Sequence, residues 1–90
     1  MFLLSSDEKK FINCNNVKCI YIEELYVHHF EPHKRWEIRA MHSALPQGLI
    51  YDTLATFYTE QECNNTFKRL CYLIANGREN DVIEMGDLWD

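Results

Sequence analysis

Three of the chain's four histidines fall within six positions, in the run YVHHFEPHKRW at residues 26–36. Histidine at that density raises two chemistries, metal ligation and proton transfer near neutral pH. Zinc requires three or four nitrogen or sulfur ligands converging at about 2.0–2.3 Å. His28 and His29 are adjacent, so on a strand they point to opposite faces and do not serve one ion. A zinc-binding regulator would draw on His28 or His33 with Cys14, Cys19 or His42, yet no pair has the C-x-x-C spacing that marks such sites. Glu31-Pro32 reads as a turn, and the whole run reads as a polar hairpin rim. Tyr26, His28, His33, Arg35 and Arg39 along it are secondary candidates for an interface, with the histidines lending it pH sensitivity.

The other reactive side chains point away from catalysis. Cys63 lies in the first turn of an expected helix, where a thiolate would be favoured. It also lies on that helix's apolar stripe with Cys71, where cysteine serves as a small buried hydrophobe. The three glycines, Gly48, Gly77 and Gly86, are isolated, and no phosphate-cradling loop is built from them. Glu23 and Glu24 are neighbours on opposite faces of a strand, not a converging acid–base pair. The expectation is a non-enzyme with no cofactor and no resident metal.

Charge is the strongest compositional signal. The net charge is −5 over 90 residues. Residues 76–90 carry Glu79, Asp81, Glu84, Asp87 and Asp90 against Arg78 alone, and the preceding 75 are nearly neutral with nine acids and eight bases. Binding to a phosphate backbone needs a basic footprint, so direct contact with nucleic acid is not expected. Asp81, Glu84, Asp87, Trp89 and Asp90 are the leading partner-binding candidates, because an aromatic ringed by polar groups is the usual form of a binding hot spot. The opening MFLLSS has only a four-residue apolar run, no basic flank, and Asp7 and Glu8 directly behind it, unlike a signal peptide. No stretch approaches the roughly 20 apolar residues of a membrane span. A cytoplasmic protein with four free thiols is therefore expected.

The elements that must position these residues follow from periodicity. FLLSS, a polar turn and KFIN form a hairpin, strand 2–5 to strand 10–13. Asn13 to Asn16 is a turn. VKCIYIEELYV is partly apolar on both faces, the pattern of a central strand covered on at least one side, and RWEIRAMH alternates, with Trp36, Ile38 and Ala40 opposed to Arg35, Glu37, Arg39 and Met41. Pro46 to Gly48 turns the chain into a strand at 49–57. Thr59 and Glu62 make a T-x-x-E capping box, and Cys63, Phe67, Leu70, Cys71 and Ile74 form the stripe of a helix over 60–76, closed at Asn76-Gly77. DVIEM, 81–85, is a final strand with Ile83 inward and Glu84 outward. The expected fold is a single α+β domain: an antiparallel β-meander of four to five strands, one amphipathic helix packed on it, and a short C-terminal strand. Ninety residues leave no room for a second core.

SSDEKKFIN at 5–13, NVKCIYIE at 16–23, WEIRA at 36–40, LATFYTEQE at 54–62 and VIEM at 82–85 together resemble a loose group of short bacterial and phage-borne proteins of unassigned role. The resemblance implies a meander with one helix and an origin in a low-GC bacterium or mobile element, and it transfers no catalytic residue. With the acidic end, this gives the expectation of a small protein-binding module. Its leading form is a phage or mobile-element inhibitor that meets a basic host defence or nucleic-acid-binding protein as an acidic mimic, in the manner of an anti-CRISPR. The runner-up is a homo-oligomeric structural or regulatory protein using an exposed sheet edge.

Overall fold

The structure, a computed structural model, describes residues 1–29 and 33–88. Six strands and one helix follow in the order β1 (Phe2–Leu4), β2 (Phe11–Asn13), β3 (Cys19–Tyr26), β4 (Lys34–Leu45), β5 (Gly48–Phe57), α1 (Glu60–Asn76) and β6 (Val82–Glu84). The fold is α+β, with the single helix packed on strands. The strands do not continue as one meander. They divide into two three-stranded sheets, β2-β1-β6 and β3-β4-β5.

The first sheet joins the two ends of the chain. β1 pairs antiparallel with β2 and parallel with β6, which sets Leu3 opposite both Ile12 and Ile83. These three form one buried row, as the period-two alternation of strands requires. The residues between them turn outward, and the Phe2 and Phe11 rings stack there with centroids 5.1 Å apart. Ser5, buried at the β1–β2 turn, is satisfied at both ends: its hydroxyl donates to Asp7 Oδ1 at 2.5 Å and accepts from the Lys10 N–H at 3.1 Å.

The second sheet is an antiparallel meander with two bulges. The β4–β5 register slips between Ile38 and Arg39, leaving Leu54 as an extra residue of β5. It slips again between Met41 and Ser43, leaving His42 as an extra residue of β4. A bulge re-aims side chains. Here it lets Leu54 and Ala55, consecutive in sequence, both be buried. The Leu54 carbonyl then accepts from the Ser6 N–H at 2.8 Å, tying the two sheets together.

Helix α1 begins as its cap predicts, with Thr59 Oγ1 accepting from the Glu62 N–H at 3.3 Å. Cys63, Thr66 and Leu70 are its buried positions. Phe67 and Ile74, expected in the core, are only half-buried against it. Cys71, expected on the buried stripe, is exposed. At about 100° per residue, position i+7 returns to within roughly 20° of Cys63, whereas i+8 lies about 80° away. Phe57, Leu3, Ile38, Leu54, Leu70 and Met85 make the fully buried centre, and Trp36, Ile20 and Ile22 pack around it.

Candidate functional site

Three of the acidic-end candidates meet at a groove between the C-terminal half of α1 and β6. Gly77 ends the helix in extended backbone, at φ −83°, and not in a left-handed cap. What demands glycine is close approach: a Cβ there would collide with the Met1 side chain and stand 2.8 Å from the Leu73 carbonyl oxygen. The chain then turns on Asp81, whose Oδ2 accepts from the Arg78 N–H at 2.7 Å. The Asp81 carbonyl accepts from the Phe2 N–H at 2.8 Å, which seats β6 beside β1. After β6, a 3-10 turn at Met85–Leu88 buries Met85 and Leu88. Arg69 Nη1 donates to the Leu88 carbonyl at 2.9 Å and fixes that turn on the helix.

The 3-10 turn returns Asp87 to the side of Glu84. The Asp87 carboxyl beside it, through hydrogen bonding and its charge, raises the Glu84 pKa above its ordinary value. Glu8, at the β1–β2 turn, adds further negative charge. Both Glu84 and Asp87 are exposed. The groove they border has a volume of about 330 Å³, with Leu73, Val82, Ile83 and Leu88 as apolar lining and Asp81, Glu84 and Asp87 as acidic lining. A second hollow of about 370 Å³ lies between Lys68, Arg69, Tyr72, Leu73 and Leu88 and shares Leu73, Asp87 and Leu88 with the first. Tyr72 is 67% exposed and Val82 51%. The first groove is an apolar trough with a rim of acids, whereas the second carries Lys68 and Arg69 in its lining beside Asp87. Trp89 and Asp90, the remaining candidates at this end, lie outside the described residues.

The secondary candidates separate into two groups. Tyr26 sits at the end of β3 with the His28 ring edge-on at 4.6 Å and the His33 ring stacked at 5.8 Å between centroids. His33 Nδ1 lies 3.0 Å from the Val27 carbonyl oxygen. His28 and His29 are past the end of the strand in an exposed turn. The turn expected at Glu31-Pro32 lies outside the described residues. Arg35 and Arg39 belong elsewhere, on the sheet face opposite the helix. Arg39 bonds Glu37 Oε1 through Nε at 2.8 Å and Nη2 at 2.7 Å, and its guanidinium lies 4.1 Å from the Tyr51 ring centre. Its side chain is 11% exposed. Burial opposes its charge, but Glu37 and Tyr21 raise its pKa overall. Arg35 lies over the Tyr58 ring at 5.3 Å. Arg39 therefore serves its own sheet and does not present a cation to a ligand.

No set of three or more His, Cys, Asp or Glu side chains is placed to hold a metal ion among the described residues. His42 instead pairs with an acid: its Nε2 is 2.6 Å from Asp52 Oδ2, and Lys10 Nζ is 3.1 Å from Asp52 Oδ1. Burial pushes the Asp52 carboxyl up, but the bonds from His42 and Lys10 hold it below its ordinary value. The four cysteines are free. Burial, with Glu60 adding to it, pushes the Cys63 thiol up to about 11, which leaves it protonated and unreactive at neutral pH. Among the described residues no helix is long and apolar enough to cross a membrane.

Comparison with protein-family models, with curated proteins and with solved structures finds no match to this chain. Glu8, Tyr72, Leu73 and Val82 were not among the sequence candidates. Tyr72 and Leu73 had one visible signal, being large apolar residues off the helix's core stripe.

Proposed function

We propose that the chain is a non-catalytic protein-binding module that receives a basic, partly apolar element of another protein along the acid-rimmed groove. The observation that carries this reading is the Glu84–Asp87 pair. Two exposed carboxylates side by side on one groove repel one another when both are ionised, and neither is needed to seal the core. A cation placed between them relieves that repulsion, while Leu73, Val82 and Leu88 supply apolar contact for its stem. Opposite-sign surfaces also steer encounter and make it salt-dependent. An inhibitor of phage or mobile-element origin that occupies the nucleic-acid channel of a basic host protein is the form of this function that fits best. In that role the acid rim stands in for phosphates.

The test is capture from a bacterial lysate with the native chain and with the triple variant Asp81→Lys, Glu84→Lys, Asp87→Lys as paired baits. A protein retained by the first and lost by the second is the expected partner. Its binding should weaken steeply between about 0.1 M and about 1 M salt, as the Debye length shrinks from about 10 Å to about 3 Å. Equal retention by a triple variant with a native circular-dichroism spectrum would remove the groove from the function.

A further inference from the structure

The order β3-β4-β5 leaves two sheet edges, and they are protected differently. β3 carries Glu23 and Glu24, the kind of charge that discourages strand addition. β5 from Gly48 to Tyr51 carries none. Leu49 and Ile50 there are 49% and 48% exposed, with Tyr51 and Leu45 exposed beside them. β3 begins at Cys19, opposite Met41, so the β4–β5 hairpin beyond that point has only two strands, an arrangement marginal in water by itself. The bordering charges are already matched within the chain: Asp52 by Lys10 and His42, Arg39 by Glu37.

The span open to pairing has defined ends. At one end Leu45 and Gly48 flank the two-residue turn Pro46-Gln47, with Gly48 at φ 144°, a conformation open mainly to glycine. At the other end the Leu54 carbonyl is taken by Ser6. Counting from the turn, alternation directs the N–H and C=O of Leu49 and Tyr51 away from β4. We infer that this edge pairs with the same edge of a second copy, antiparallel, about a two-fold axis at Ile50, the centre of the span 47–53. Leu49 then lies opposite Tyr51 of the other copy, exchanging both backbone hydrogen bonds, and Ile50 lies opposite Ile50. Asp52 faces Gly48, whereas a register shifted to centre on Asp52 would oppose two carboxylates. The product is one six-stranded antiparallel sheet, with the helices of both copies on the same side. A copy is the occupant the chemistry selects. An isologous interface requires a self-complementary strip, and an uncharged aliphatic–aromatic strand meets that requirement without offering anything to a charged partner.

The experiment is sedimentation equilibrium over a concentration series, joined to amide exchange. The native chain should rise from 10.8 kDa to twice that mass, and Ile50→Lys should remain at the monomer mass. In the native chain, exchange at the Leu49 and Tyr51 amides should slow as concentration rises. If Ile50→Lys does not fold, the amide series on the native chain decides alone. A native chain that stays monomeric, a dimer that survives Ile50→Lys, or protection of those amides only when a different protein is added would each overturn the proposal.

Discussion

At the groove, Glu84 and Asp87 hold like charge side by side next to Leu73 and Val82. Beside the β5 edge, the charges at Asp52 of β5 and Arg39 of β4 are matched within the chain, and Leu49, Ile50 and Tyr51 are left bare. Both surfaces expose apolar side chains, but only at the groove do two acids stand side by side. On the two proposals above, they take different partners. Unbalanced charge selects an opposite charge and speeds its arrival. Balanced charge beside an open backbone edge selects another strand, and the strand in greatest supply is the chain's own.

The largest effect should come from the core that both surfaces share. Phe57 is 1% exposed and ends β5 immediately before the helix, so Phe57→Ala should cost about 3–5 kcal/mol in chemical denaturation. It should abolish self-association and partner capture together. Phe67→Ala, at the half-buried margin, should cost clearly less. Equal costs, or loss of one surface with the other intact, would mean that the two surfaces do not rest on one cooperative core.

A smaller effect is expected at the clamp between the sheets. Asp52's folded pKa lies below its ordinary value of 3.8. The stability it contributes is therefore present above that value and is lost as pH falls through the lowered one. For a part-exposed pair this amounts to roughly 0.2–1 kcal/mol. Asp52→Asn should remove that component of the acid transition. An unchanged acid profile would show that the clamp does not join the β5 edge to the first sheet.

The smallest effect on stability should come from the groove. Glu84's folded pKa is raised above 4.5, so its contribution runs the other way. It favours folding below that value and is lost as pH rises through the folded value. Glu84→Gln should leave the neutral-pH melting temperature unchanged or slightly higher while weakening partner binding. A lower melting temperature would make Glu84 a structural residue.

Much of this fold was legible because its signals are local. The Thr59–Glu62 cap and the Cys63, Phe67, Leu70 spacing set α1 at Glu60–Asn76, and alternation in WEIRA put Ile38 and Ala40 inward. The split into two sheets was not legible. It depends on β1 pairing with β6 from the far end of the sequence, and no local pattern encodes a parallel pairing between Leu3 and Ile83. The bulges were hidden for a related reason: Leu54 and Ala55 share a face only because β5 carries one residue more than β4 at that point. At the site, the acids were visible as composition. Their meeting with Leu73 and Tyr72 depends on the 3-10 turn that Arg69 holds against the helix.

On the proposed function, a foreign protein binds at the groove and not along the sheet. Hydrogen–deuterium exchange of the chain alone and in complex with its captured partner measures this directly. New protection is expected across residues 72–88, centred on Leu73, Glu84 and Asp87, with the exchange of Leu49 and Tyr51 unchanged by the partner. Protection confined to β5 or to the Tyr26–His33 rim, with residues 72–88 exchanging as before, would contradict it.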